Sequence, residues 1–434
     1  MWRSHSRLLS IGIICLIYAG CGRSAPTPAP TTVVEPTHLQ VVIFDSFSPN
    51  ADEVLRDKVM AWGQQNGVEV ELLTSIPQGA DSAAEQMQSG GFPGCGTMGD
   101  FHNWIVNDAL AETTELVAEL DEAAGGYLPN ALLPSRMEGK QWAVPLAIVN
   151  SVFFVRKDKL DDIGFPLPET WEDARLAAEA MTTPEAFWGW GMQIGRSGDT
   201  ETAFRAKLWS YGGSVWDADG KPALDSPATR QVLDFVQSVW LSGVVPPDAP
   251  SWDDGSNNQA YLSGQVGMVL NAGSLLNLLQ REDPELLSNT AVLPPPAGPA
   301  GRFSPGNVSH WAIFKQPATV ELCMDLTRWL LAPAQIRDYY AAGNGNYLPV
   351  YAALLSDPLW QEPNLRVLAD QAPNTADAGY PGPVTPWALE ARSNAVIGTM
   401  IQRVLLEGWS HDDAIAEADA ALWALYESWQ ERVR

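Results

Sequence analysis

Hydrophobic and polar positions divide the chain into three regimes. Leu8 to Gly20 is a thirteen-residue apolar run behind Arg3 and Arg7, and small residues Ala19 and Gly20 follow Tyr18 just ahead of Cys21. The run is shorter than the roughly 20 residues a membrane-crossing helix needs, so the order of basic start, apolar stretch and small residues describes an export signal. Ser24 to about Thr37 is rich in Pro and Thr, has no core-forming pattern and reads as an extended spacer. From Leu39 onward the pattern becomes that of a folded body.

Leu39 to Phe44 is a near-continuous apolar run, the mark of a strand buried on both faces. A helix is predicted from Ala51 to about Gln65, closed by Asn66-Gly67, then an alternating strand at Val68–Leu73 and a helix from Asp81 to Ser89. Strand and helix in alternation with short connections predict an α/β fold with a parallel sheet. The middle of the chain repeats this grammar. Ser151–Val155 reads as a strand, Thr170 with Asp173 three residues on caps a helix, and Ser226-Pro227 opens another that Gly243 ends. Asp219-Gly220 predicts a hairpin turn within Trp216–Lys221. The run Pro294-Pro295-Pro296-Ala297-Gly298-Pro299 is an internal break, followed by a strand at Val308–Phe314 and a helix at about Val320–Leu331. A helix from Ala388 to Leu406, stopped by Gly408, and a last helix capped by Ser410 and Asp413 complete the chain. No fixed-period repeat occurs, which argues against a solenoid or propeller.

Composition adds that roughly 400 residues beyond the export segment exceed one ordinary core, so two lobes are expected. The net charge of −26 repels nucleic acid and anionic lipid, excluding both as partners of the folded body. It is compatible with simple solubility outside the cell and also with a cationic ligand. Cys15 and Cys21 belong to the export segment. Cys95 and Cys323 could pair in an oxidising compartment, but their separation with no surrounding framework favours two buried free thiols.

Tests for chemistry come back thin. Gly94-Cys95-Gly96-Thr97-Met98-Gly99 spells G-x-G-x-x-G without the strand that a dinucleotide site needs before it. There is no H-E-x-x-H, G-x-S-x-G or P-loop. His102 with Asp100 lacks a third partner. The Asp-Gly loops at Asp217–Gly220 and Asp253–Gly255 lack the alternating ligands of a calcium site and read as turns. No metal, cofactor or catalytic residue is therefore assigned. A glycosidase carboxylate pair has no local signature by which to be seen or excluded.

Several motifs in order carry a resemblance. They are Gly139-Lys140-Gln141-Trp142-Ala143-Val144-Pro145, then Phe153 to Leu160, then Gly164-Phe165-Pro166-Leu167-Pro168-Glu169-Thr170-Trp171-Glu172-Asp173. Later blocks are Ala260 to Ser274, Gly345 to Val350, and Val404 to Ala414. The chain resembles the extracellular solute-binding proteins of ABC importers, the group that contains the maltose-binding protein, over essentially its whole length beyond the spacer. Ala19-Gly20-Cys21 likewise resembles a bacterial lipobox, with Tyr18 where Leu is usual, so Cys21 is the expected lipid attachment point.

The resemblance implies two α/β lobes, each with a mostly parallel sheet flanked by helices, and a ligand cleft that closes by hinge bending. Mapped onto this chain, residues 1–20 are the signal, 21–37 the lipidated cysteine and tether, 38–147 with 306–348 the N-terminal lobe, and 148–305 with 349–434 the C-terminal lobe. Crossings fall near Pro145–Ser151, Pro299–Val308 and Tyr347–Tyr351. Sugars stack on aromatic rings and hydrogen-bond to short polar side chains. The matched blocks then nominate Asp45 and Phe47 after the first strand, Asp100, Asn150 at the first crossing, Gln193, and Asn271 with Ser274 in the Gly-Ser loop. Trp387 and Arg392 are nominated on a late helix, and His310, Trp311 and Tyr347 are secondary candidates. Leu275 and Leu276 stand where relatives often carry a stacking Trp. The implied partners are a carbohydrate, the transmembrane subunits of an ABC permease and, through the lipid alone, a membrane; the implied state is a monomer without catalysis. A polyamine or amino-sugar on the same scaffold, and a secreted carbohydrate-active enzyme, are the alternatives.

Overall fold

Parallel pairing around the first apolar run builds one edge of the sheet. The computed structural model describes residues 37–76, 92–99 and 101–433. Strand β1, Thr37–Val42, is joined by helix α1, Pro49–Asn66, to β2, Val68–Leu73. The two strands pair in parallel from Thr37 opposite Val68 to Val42 opposite Leu73. Helix α1 buries Leu55, Val59 and Trp62, and Gly67 ends it in the left-handed conformation at φ 68°, as Asn66-Gly67 foretold. Strand β3, Cys95–Met98, pairs in parallel on the other side of β1. It occupies the literal glycine motif, so that segment is a strand and not a phosphate loop. The helix expected over Asp81–Ser89 lies outside the described residues, as do the export signal, Cys21, the tether and Asp100.

After the short helix α2, His102–Val106, strand β4 runs thirteen residues from Val144 to Arg156, nearly all buried. Its first half, Val144 to Asn150, pairs antiparallel with β7, Ser304–Ile313. Its second half, Ser151 to Arg156, pairs antiparallel with β5, Met268–Ala272, and β6, Thr290–Leu293. One strand thus serves two halves of the sheet, and β7 returns alongside to pair with β3. Parallel pairing joins β1 to β2 and β3 and, among the described residues, recurs elsewhere only in short contacts such as the Trp188–Val266 and Thr170–Ala297 bridges. The long crossing strands are antiparallel, a mixture that the period of the apolar runs alone does not resolve.

Local capping is as the sequence predicts. Helix α3, Trp171–Met181, has a capping box in which the Asp173 N–H donates to Thr170 Oγ1 (3.1 Å) and the Thr170 N–H donates to Asp173 Oδ2 (3.0 Å). The segment behind it, through Trp188 and Trp190, follows α3 so closely that a Cβ on Gly189 would lie 2.1 Å from the Ala178 carbonyl oxygen. Helix α4 spans Gly198–Ser210 and α5, Pro227–Leu241, is capped by Ser226. Asp217–Lys221 forms the expected turn, with Gly220 at φ 75°, though only a single bridge, Trp216 to Pro222, extends it. Helices α6, Ser256–Leu262, and α7, Gly273–Glu282, flank β5, and α8, Val320–Leu330, packs on the first half of the sheet. Strand β8, Thr375–Ala376, adds a short parallel pairing to β7.

Two expectations are corrected. The helix predicted from Ala388 to Leu406 is two: α9, Pro386–Ser393, and α10, Val396–Leu405, separated where Ala395 takes φ 50°. The break survives because Glu201 Oε1 accepts the N–H groups of Ile397 (2.7 Å) and Gly398 (3.0 Å), so a distant carboxylate caps the second helix. Helix α11, His411–Val433, follows. Cys95 and Cys323, expected as free thiols, form a disulfide between β3 and α8, with Cα atoms 5.9 Å apart and no exposure of either residue. Packing of α8 on the sheet brings them together across 228 residues of sequence, a separation that tells nothing of proximity. Among the described residues no helix is long and apolar enough to cross a membrane.

Closing so long a loop constrains the unfolded chain strongly. Replacing both cysteines by Ala is expected to lower unfolding free energy by roughly 2–5 kcal/mol, measured by guanidinium titration of both proteins under non-reducing conditions.

Candidate functional site

Strand ends and helix starts supply most of the nominated residues. Asp45 and Phe47 follow β1. Asp45 forms an ion pair with Arg56 of α1, and Phe47 is 62% exposed. Ser46, between them, holds the buried Asp52, whose Oδ2 accepts the Ser46 N–H (2.8 Å). Burial raises the Asp52 carboxyl above its ordinary range. Tyr347 sits beside this loop and stacks on Tyr339 with ring centres 4.8 Å apart.

Gln193 and Asn271 come together at the end of β5, both buried. Gln193 Nε2 donates to the Leu270 carbonyl (2.5 Å) and Asn271 Nδ2 donates to Asn258 Oδ1 (2.6 Å). Ser274 lies in the first turn of α7. Gly273 lets this loop touch the third crossing, since a Cβ there would fall 2.0 Å from the Gly345 carbonyl oxygen. Further along α7, Asn277 Nδ2 reaches Ser48 Oγ (3.5 Å) and the Gly343 carbonyl (3.4 Å). Helix α7 therefore meets the start of α1 and the segment around Gly343–Gly345.

Other nominated residues make contacts within the framework. Asn150 Nδ2 donates to the Leu368 carbonyl (3.0 Å), pinning β4 where it changes partners. Trp311 is wholly buried in β7. His310 is buried against Phe101, and burial, with His102 nearby, lowers its imidazole to about 3. It is neutral across physiological pH. Trp387 donates its indole N–H to the Gly220 carbonyl (2.7 Å) and meets Tyr426 edge-on, tying α9 to the Asp217–Lys221 turn.

Arg392 leads to the group that the motifs did not reveal. It lies among Asp199, Glu201 and Asp377, whose carboxyls burial raises above their ordinary range, and its positive charge partly offsets that rise. Asp199, in the first turn of α4, accepts from Asn257 Nδ2 (2.9 Å), while its own N–H donates to Asp254 Oδ1 (2.9 Å). Burial, helped by the Asp254 carboxylate, pushes Asp199 up to about 7. Asp377, also raised by burial, is within electrostatic reach of Arg392, of Arg205 and of His102 on α2. The cluster thus joins α4, α6, the loop after β8 and α2. The only signal in the sequence was Ser197-Gly198-Asp199-Thr200-Glu201, an acidic helix start whose tertiary partners lie far along the chain. No group of His, Cys, Asp or Glu able to hold a metal occurs among the described residues.

Two sheet halves joined by shared crossing strands, with amides, carboxylates and an arginine gathered at their loops, define a two-lobed α/β binding protein. Residues 59–367 match the family model described as bacterial extracellular solute-binding protein, and the chain belongs to that family. A binding protein of Brucella abortus (strain 2308) is 27% identical over 183 residues, 42% of this chain. The match spans 44% of that protein, less than half its length. Among solved structures, maltose-bound MalE3 of T. maritima is 22% identical, with a TM-score of 0.74 over 90% of this chain and 100% of that one. An ABC transporter solute-binding protein of Thermotoga lettingae TMO, bound with α-D-tagatose, is 18% identical, with a TM-score of 0.76 over 90% and 99%. At these identities the likeness is one of fold, the two-lobed architecture of sugar-binding periplasmic proteins.

The Asp199 carboxyl has a folded pKa above its unfolded value, so the native state binds more protons than the unfolded state between about pH 4 and 7. Its contribution to stability is present at the acidic end and lost as pH rises through about 7. Asp199→Asn should flatten this fall, read as the difference in Tm between pH 5 and pH 8 for variant and parent.

Proposed function

We propose that this protein is the substrate-binding component of an ABC importer, capturing a carbohydrate outside the membrane and passing it to the transmembrane permease. Family membership supports solute binding and export. The sugar reading is carried by one observation: Gln193, Asn258 and Asn271 at the end of β5, and Asp199, Asn257 and Arg392 around the start of α4, bring amide, carboxylate and guanidinium groups to neighbouring loops. The exposed ring of Phe47 stands on the loop after β1. Short polar groups beside aromatic surface suit a ring of hydroxyls with flat C–H faces. The maltose and tagatose held by the two structural relatives are consistent with this class.

In this reading the N-terminal lobe takes residues 38–147 and 306–348, the C-terminal lobe takes 148–305 and 349–434, and both swing about the crossings to close on the solute. Cys21 carries the lipid, and the Pro/Thr tether keeps a monomeric clamp near the permease, raising its effective concentration there. The protein performs no catalysis.

A thermal-shift screen with maltose, tagatose, other mono- and disaccharides, and spermidine tests the proposal. At 100 times its Kd a bound saccharide adds about 2.7 kcal/mol, which corresponds to a rise in Tm of several degrees. Arg392→Met should reduce affinity for that saccharide about tenfold or more by removing a charged hydrogen-bond donor. A shift with spermidine alone would transfer the site to cationic solutes, and release of reducing ends from an oligosaccharide would make the protein an enzyme.

A further inference from the structure

The segment after β1 is fastened through its polar residues and displays one exposed ring. At its start the Phe44 N–H donates to Thr97 Oγ1 of β3 (3.0 Å). Asp45 pairs with Arg56, whose guanidinium also donates to the Ile43 carbonyl (3.2 Å). Both oxygens of Asp52 serve Ser46: Oδ2 accepts its N–H (2.8 Å) and Oδ1 its hydroxyl (2.9 Å). Ser46 Oγ in turn accepts the Ser48 N–H (3.0 Å), and Ser48, wholly buried, closes the segment at the cap position of α1. Between these anchors Phe47 is 62% exposed.

The place of this segment in the sheet gives the arrangement a use. Strand β1 lies between β2 and β3, both parallel to it, so the chain turns to one side of β1 for the second strand and to the other side for the third. Crevices outside the carboxyl ends of strands at such a switch point are where open α/β sheets take ligands. Asp52, in the first turn of α1, is only 4% exposed. Burying a carboxylate is costly unless donors meet it, and here a single loop residue, Ser46, meets both oxygens. The tie therefore fixes the backbone immediately before Phe47. Behind it, Tyr347, beside Ser46, stacks on Tyr339, and Asn277 of α7 reaches Ser48 Oγ (3.5 Å).

We propose that Asp52 is a positioning residue for solute recognition: through Ser46 it holds Phe47 as a pre-formed stacking surface for the apolar face of a saccharide ring. Asp52 itself does not touch the solute. A loop ordered in advance gives up little conformational freedom when the solute arrives, so the stacking contact is realised in full. This rests on the carbohydrate reading and names the part of the site that is built before the solute binds.

A double-mutant cycle tests it. Phe47→Ala removes the ring, Asp52→Ala removes both acceptors, and Ser46→Ala removes the hydroxyl at the other end of the contact. Binding is measured by calorimetric titration with maltose, tagatose or whichever other saccharide of the thermal-shift screen raises the parent Tm most. Phe47→Ala should weaken binding about fivefold, and Asp52→Ala and Ser46→Ala about threefold each. Added to Phe47→Ala, neither should weaken it further, because both act through the ring. A residue that serves stability alone would weaken binding equally in both backgrounds or not at all. Either result would overturn the proposal, as would parent-like affinity in Phe47→Ala. Should Asp52→Ala not fold, Ser46→Ala completes the cycle by itself. Sugar-free hydrogen exchange at the amides of Phe44 to Ser48 should quicken about tenfold in Asp52→Ala and Ser46→Ala, with α5 unchanged. If no saccharide stabilises the parent, the carbohydrate reading fails separately and this exchange decides the positioning role: quickened exchange supports it and parent-like exchange overturns it.

Discussion

The antiparallel pairing of β4 with β7 is the constraint on which the rest depends. From Val144 to Asn150 these strands hold one another, and beyond Asn150 the same β4 backbone becomes the partner of β5 and β6. Two sheet halves are thereby threaded on shared strands over one continuous core, and the loops that carry candidate contacts are placed relative to this seam. Asn150 marks the change of partners, buried and fastened to the Leu368 carbonyl. A strand covered on both faces needs apolar side chains on both, which is why β4 reads as an almost unbroken hydrophobic run.

Around that seam, polar groups do double duty. Glu201 uses one oxygen to start α10 and leaves the other facing the ion partner Arg205. Asp199 accepts from Asn257 while Asp254 accepts from the Asp199 backbone, so α4 and α6 are held by the side chains that also crowd negative charge together. Burial of that charge raises Asp199, Glu201 and Asp377, with Arg392 as their common counterweight. Such an arrangement is costly in an empty protein and useful in one whose solute completes the hydrogen bonds. The aromatic residues divide differently: Trp311 serves the core, Trp387 anchors a turn, and Tyr380 and Phe47 keep rings in the open.

Much of the fold was legible because its signals are local. Gly67, the Thr170–Asp173 box and Ser226-Pro227 act within a few residues of themselves, and each behaves as its spacing predicts. What escaped the sequence depends on distant neighbours. Nothing near Ala395 announces a helix break imposed by Glu201, and nothing near Cys95 announces Cys323. The candidate site divides along the same line. Gln193, Asn271 and Arg392 were reachable through motif order, and the first two share the end of β5. Asp199, Arg205 and Asp377 were not, since their meaning arises from charges that meet only after α4, α6 and the loop after β8 have packed.

The most direct test is a crystal structure of the protein purified from its native host, inspected for solute retained between the lobes. The account predicts a sugar-like molecule at the junction of the two sheet halves, hydrogen-bonded at about 3 Å to side chains among Gln193, Asn258, Asn271 and Arg392. A solute bound elsewhere, touching none of these side chains, would contradict it.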